Sequence, residues 1–190
     1  MTFATDFIPY ALRTESNIAP LSINREVFLA VLNASIAVGN LTDFIKKKAA
    51  YNKPISIESW QDNVGALVTT LPDLLKVMNQ GQFDLTPGDQ PSTINTRLFH
   101  GVIGLFTEST ELMEAMRSAY VTGTWDEVNL KEELGDQEWY QAILVDELKA
   151  NMESIQQRVI EKLKARYPEK YSDDAAINRD VAVERKILEA

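Results

Sequence analysis

Four acidic residues, set in two pairs of matching spacing, carry the chemistry in this 190-residue chain. Glu108 and Glu111 stand three residues apart, and Glu133 and Asp136 repeat that spacing further along. Side chains at i and i+3 share one face of a helix, so each pair presents two carboxylates together. Two such helices packed antiparallel would bring all four to one place. Two carboxylates about 4 Å apart repel by roughly 1 kcal/mol in water and about 4 kcal/mol at an effective dielectric of 20. A cluster of that kind calls for a cation. All-oxygen ligands without sulfur suit Mg²⁺ or Mn²⁺ better than zinc or copper. Glu108, Glu111, Glu133 and Asp136 are therefore the candidate metal ligands. Acidic pairs at this spacing often do no more than decorate a solvated helix face. Here Leu105, Leu112 and Leu134 lie beside them, which argues for a partly buried face where an uncompensated acid cluster would be costly.

The composition narrows the alternatives. There is no cysteine, so disulfides, thiolate metal sites and thiol catalysis are excluded. The single histidine, His100, excludes a multi-histidine metal site. A formal net charge of −9 and a pI near 4.7 argue against nucleic acid or an anionic membrane as partner. An anionic small molecule stays open, because a bound metal inverts the local sign. No apolar run is expected to approach the roughly 20 residues that span a bilayer. The N-terminus lacks the basic and apolar regions of a signal peptide. The expected location is the cytoplasm, or the host cytoplasm for a phage-encoded chain.

The elements that must hold the carboxylates read as helices throughout, and the expected fold class is all-α. A short helix is expected around Tyr10 to Glu15. From Ile23, Val27, Val31, Ala34 and Val38 recur at helical spacing towards Lys46-Lys47-Lys48. Ser56 or Ser59 suits the cap of a second helix, which Pro72 would kink or interrupt. Gly81 to Pro91 reads as a linker. Ser92, Thr93 and Asn95 are competent caps for a long helix to about Tyr120, ended by Gly123. Asp126 opens the next, which continues or bends near Asn151. A last helical segment is expected from Asp174 to Leu188.

An internal repeat runs through this order. Ile23-Asn24 to Phe28 aligns with Ile94-Asn95 to Phe99 at an offset of 71 (94 − 23), and Asn63-Val64-Gly65-Ala66 aligns with Glu133-Leu134-Gly135-Asp136 at 70 (133 − 63). The positions matching the four carboxylates are Ala37, Asn40, Asn63 and Ala66. The expected organisation is a single all-α domain over 1–190 whose four-helix core comes from two tandem hairpins. A degenerate copy spans 23–78, a linker 79–94 and an intact copy 95–150, followed by C-terminal helices over 151–190.

Leu98-Phe99-His100-Gly101-Val102-Ile103-Gly104-Leu105, running into Thr107-Glu108-Ser109-Thr110-Glu111-Leu112 and then Glu132-Glu133-Leu134-Gly135-Asp136, resembles the all-α nucleoside triphosphate pyrophosphohydrolases. That superfamily includes MazG-like enzymes, dimeric dUTPases and dCTP pyrophosphatases. Its motif is an E-x-x-E helix and an E-x-x-D helix joined by a loop. Arg166-Tyr167-Pro168 resembles the basic segment that follows in the family, and Asn178-Arg179-Asp180 a continuation in phage and bacterial MazG-like proteins. One departure stands out: Thr107 occupies a position where the family often has an acid.

The resemblance implies Mg²⁺-dependent conversion of a nucleoside triphosphate to the monophosphate and pyrophosphate. Glu108, Glu111 or Glu114 would accept the proton of the attacking water. Lys162, Arg166, Tyr167 and Lys170, with Asn178 and Arg179, are the candidate substrate-binding residues, although such a basic stripe can equally be a solvated face. His100 lies about three helical turns before Glu111, placed to contact substrate or to satisfy a core hydrogen bond. The chain would act as a monomeric pseudo-dimer of its two hairpins or as a homodimer. The rival reading from another class is a non-catalytic nucleotide-binding or scaffold protein. A di-iron bundle would require Glu-x-x-His pairs, and Arg97 stands where His100 would need a glutamate.

Overall fold

Asn24 and Asn95 open the two long helices of the chain in the same way. Each side chain accepts hydrogen bonds from the second and third following backbone N–H groups, Glu26 and Val27 in one case and Arg97 and Leu98 in the other. These caps satisfy donors that a helix N-terminus otherwise leaves unpaired. The computed structural model describes residues 6–16, 19, 22–80 and 93–189. Among them the regular structure is helical and contains no strand: α1 (Ile8–Leu12), α2 (Arg25–Tyr51), α3 (Ile57–Gln80), α4 (Thr96–Thr122), α5 (Glu127–Glu147), α6 (Met152–Arg166), α7 (Asp173–Ile177) and α8 (Val181–Glu189). The all-α class expected from the periodicity is the observed one.

Two compact units divide the chain. One comprises Met1–Ala19 with Ile94–Ala190, the other Pro20–Thr93. Most of the linker expected over 79–94 falls outside the described residues. Within each unit a long helix packs against its successor, α2 on α3 and α4 on α5. Both long helices have 27 residues and end at a left-handed residue, Asn52 (φ 48°) and Gly123 (φ 78°). Their bounds keep the offset of 71, and α3 and α5 start at an offset of 70 (127 − 57).

The α2–α3 unit buries small residues, Val27, Ala30 and Ala37. Ser56 caps α3 by accepting from the Ser59 N–H, and α3 runs on through Pro72 without a break. By length and composition α2 is long and apolar enough to cross a bilayer. That corrects the expectation that no apolar run approaches this length. Core helices of bundles pass the same test, and α2 is packed along α3.

The other unit is built on close contact between α4 and α5. A Cβ added at Gly104 would lie 2.0 Å from the Tyr140 ring, and one at Gly101 2.6 Å from Leu144. Only glycine lets the helices approach this far. Gly104→Ala is accordingly expected to cost about 1–3 kcal/mol, as overpacked cores do. Thermal unfolding checks this, and an unchanged Tm would contradict the contact. Helix α1 lies on α5, where the Trp139 indole donates to the Ala11 carbonyl at 3.1 Å and to Thr14 Oγ1 at 2.9 Å. Arg97 ties the same region together. It forms a bidentate pair with Glu15, with both bonds at 2.7 Å, and reaches Asp146 at 2.8 Å and Glu147 at 2.7 Å.

Helix α5 stops at Glu147, and Asn151 caps a separate α6 by accepting from the Ser154 N–H. The single last helix expected over Asp174 to Leu188 is instead two. Ser172 caps α7, and Asp180 accepts from the Val183 N–H to begin α8 anew.

Candidate active site

Helix α4 supplies Glu108, and α5 supplies Glu133 and Asp136. One carboxylate oxygen from each lies within 4.8 Å of the others. Glu108 and Glu133 are buried, at 8% and 3% exposure, while Asp136 is open to solvent. The i, i+3 spacing on α5 aims Glu133 and Asp136 to one side, and the glycine-mediated approach of α4 sets Glu108 opposite them. Glu111 is exposed and falls outside this tight group. It is still close enough that the Glu133 charge is the main cause raising its pKa above the usual carboxylate value, with Glu114 and Asp136 adding to it. Glu114 itself is exposed, one turn beyond.

The electrostatics of the group are those of acids crowded together. Burial first, then the hydrogen bond to Glu133 and the charges of Glu111 and Asp136, raise the pKa of Glu108. Among the described residues no ion pair reaches any of the four carboxylates. Asn129 donates from Nδ2 to Glu133 Oε1 at 2.5 Å and so fixes that side chain. The Tyr140 phenol is held protonated, by burial and then by the charges of Glu108, Asp136 and Glu111. Buried oxygen donors from two helices, mutually repelling and without a protein cation, form a donor set that fits a hard divalent metal ion.

His100 is packed edge-on between Trp139 (ring centroids 5.7 Å apart) and Tyr140 (5.4 Å). Its Nδ1 is buried without a hydrogen-bond partner. A core hydrogen bond at that nitrogen, one of the two roles open from sequence, is not formed.

The C-terminal residues group among themselves. Arg166 pairs bidentately with Glu184 at 2.7 and 2.6 Å, and Arg179 reaches the same carboxylate at 2.8 Å. The two guanidinium groups hold the buried Glu184 carboxyl down at about 2. The Arg166 guanidinium also lies 5.7 Å from the centre of the Tyr167 ring, and Asn178 donates to Asp174 at 2.7 Å. Lys162 is half-buried and Lys170 exposed. Among the described residues no hydrogen bond or ion pair joins these cations to the carboxylates of α4 and α5. Arg166→Ala is therefore expected to lower Tm by roughly 5 °C or more, since it removes the bidentate partner of the buried Glu184 carboxylate and leaves it Arg179 alone, in addition to any rise in KM. A rise in KM at unchanged Tm would instead make substrate its main partner.

Sequence reasoning missed the roles of Glu184, Arg97 and Asn129. Asn129 and Glu133 had a local signal in their i, i+4 spacing. Tyr140 follows Asp136 at the same interval.

No curated protein and no solved structure matches the chain. Residues 102–171 match the family model of the MazG nucleotide pyrophosphohydrolase domain. That stretch holds Glu108, Glu111, Glu133 and Asp136 and runs on through Arg166 and Lys170, so the part of the chain that builds this site is similar to the MazG domain.

Proposed function

We propose that this chain hydrolyses nucleoside triphosphates to the monophosphate and pyrophosphate at the carboxylates of α4 and α5, and thereby acts on the nucleotide pool. The observation that carries the reading is the convergence of Glu108, Glu133 and Asp136 within 4.8 Å, inside a stretch matching the MazG domain. Glu108, Glu133 and Asp136, joined by Glu111, would hold Mg²⁺ or Mn²⁺. Such a cation, when bound, supplies Lewis acidity and positive charge for the phosphate oxygens.

The protein's own groups then handle the proton. A water oxygen bonds to phosphorus on one side of the bridging oxygen, and the bridging P–O bond breaks. The water's proton passes to a carboxylate. Glu111 suits this role because it is exposed and its neighbours' charges raise its basicity, as general-base catalysis near neutral pH requires. Glu108 and Glu114 are the other acceptors in reach of the reading. His100, Lys162, Arg166, Tyr167, Lys170, Asn178 and Arg179 are proposed to contact substrate. For Arg166 and Arg179 that role requires exchanging the Glu184 carboxylate for a phosphate. The two hairpins are proposed to form an intramolecular pseudo-dimer, or the whole chain a homodimer; sedimentation of the full chain as one copy or two separates these.

A second reading, a non-catalytic nucleotide binder, is favoured by one observation: the equivalent positions of the first hairpin carry Ala37, Asn40, Asn63 and Ala66. Pyrophosphate release from a panel of ribo- and deoxyribonucleoside triphosphates, with Mg²⁺ and with chelator, separates the two. Mg²⁺-dependent release supports the enzyme. Binding without release from any member of the panel would leave the binder.

A further inference from the structure

The first hairpin keeps a cleft where the second keeps its carboxylates. It measures about 260 Å³, and its walls include Ala37, Asn40, Asn63, Ala66, Thr69 and Thr70. At the offsets of 71 and 70, the first four stand where Glu108, Glu111, Glu133 and Asp136 stand in the second hairpin. The replacement chemistry is not random debris of a lost site. Asn40 Nδ2 donates to Asn63 Oδ1 at 2.8 Å across the hairpin, and Asn63 Nδ2 donates to the Ser59 carbonyl at 2.8 Å. The Thr69 and Thr70 hydroxyls donate to the carbonyls of Ala66 and Leu67 at 2.9 and 2.8 Å. Each hydroxyl therefore keeps lone pairs for another donor. Asn40 keeps its Oδ1 and one N–H.

Among the described residues no acidic, basic or histidine side chain lines the cleft. A metal ion would find no anionic ligand there, and a phosphate no cation. What the walls do offer is an amide with both donor and acceptor, hydroxyl acceptors, and the methyl groups of Ala37 and Ala66. That set complements a flat, uncharged ring bearing N–H and C=O groups on its edge. The volume lies just below the range of about 300–1,000 Å³ usual for ligand clefts, which suits one small ring system better than a triphosphate.

We propose that the cleft between α2 and α3 binds a neutral nucleobase or nucleoside. This site is distinct from the hydrolytic one and does not depend on the second hairpin being an active enzyme.

The test is a titration of the full-length protein followed by two-dimensional amide NMR, with uridine, cytidine, adenosine, guanosine and the corresponding free bases. The side-chain amide signals of Asn40 and Asn63 and the backbone signals of Thr69 and Thr70 should shift and saturate with at least one of them. Mg²⁺ and inorganic pyrophosphate should leave these signals in place. Asn40 is exposed, so Asn40→Leu should leave the fold intact and weaken binding about tenfold, the worth of one to two hydrogen bonds. Asn63→Leu should do the same. A free base that binds as tightly as its nucleoside assigns the site to the ring alone. The proposal is overturned if no compound shifts these signals at about 10 mM, where even a millimolar site would be filled. It is equally overturned if saturable shifts survive both substitutions, or if pyrophosphate alone produces them.

Discussion

Glu108→Gln or Asp136→Asn is expected to lower turnover by on the order of 10²–10³-fold or more, the scale seen when one electrostatic stabiliser of a transition state is removed. The helical content should not change. Glu108 and Asp136 come from opposite sides of the group whose oxygens lie within 4.8 Å. Each substitution swaps one charged oxygen for an amide of nearly equal size, so packing between α4 and α5 survives. Glu111→Gln gives a graded readout, because Glu111 is exposed and outside the tight group. A loss as deep as that of Glu108→Gln would make it an equal partner in the chemistry. Steady-state kinetics together with circular dichroism checks all three. Retained turnover in Glu108→Gln would remove the carboxylates from the reaction, and loss of helical signal would make them structural.

The second large effect is on stability, and its sign depends on pH. Glu108 and Glu111 have folded-state pKa values above the ordinary glutamate value of 4.5. The folded chain binds their protons more tightly than the unfolded chain does. Their ionisation therefore destabilises the fold at neutral pH, and the cost fades as pH falls through the raised values towards 4.5. Glu184 has the opposite sign. Its carboxyl sits at about 2 in the folded state, so its contribution is full above 4.5 and is lost as pH falls from 4.5 towards 2. Metal-free protein should thus gain Tm on mild acidification from neutrality and lose it steeply below about pH 4.5. Mg²⁺ at about 100 times its Kd should add about 2.7 kcal/mol at neutral pH. For a chain of this size that is roughly 5–10 °C in Tm. Glu108→Gln should raise the metal-free Tm and abolish most of the Mg²⁺ increment. Calorimetry across pH with and without Mg²⁺ checks both signs; a neutral-pH Tm indifferent to Mg²⁺ would contradict the metal site.

Local rules carried the reading of the fold far. Asn95 and Asp126 open α4 and α5 as expected, because a short polar side chain can reach its own backbone two or three residues on, and Asn24 and Asn151 cap α2 and α6 by the same rule. Gly123 ends α4 because it tolerates φ 78°. The carboxylates were legible for the same reason, since i, i+3 spacing fixes a shared face before any tertiary contact exists. What escaped was the choice of partner over long separations. Arg166 and Arg179 read as substrate ligands from their resemblance to the family's C-terminal segments, and in the fold they converge on Glu184. Arg97 collects Glu15, Asp146 and Glu147 from both ends of its unit. Nothing in local spacing selects those acids, because the packing of α1 on α5 and of α6 on α8 does so. The break at Asn178–Asp180 escaped because Ala176, Val183 and Ile187 keep helical spacing across it while Asp180 recaps the chain.

The most direct test of the central claim is which bond breaks. Phosphorus NMR of a nucleoside triphosphate incubated with the full-length protein and Mg²⁺ reports this in a single spectrum. The account predicts that the triphosphate signals give way to those of the monophosphate and pyrophosphate, that chelator stops the change, and that Asp136→Asn stops it too. Appearance of the diphosphate and inorganic phosphate, or pyrophosphate formed equally well by Asp136→Asn, would contradict it.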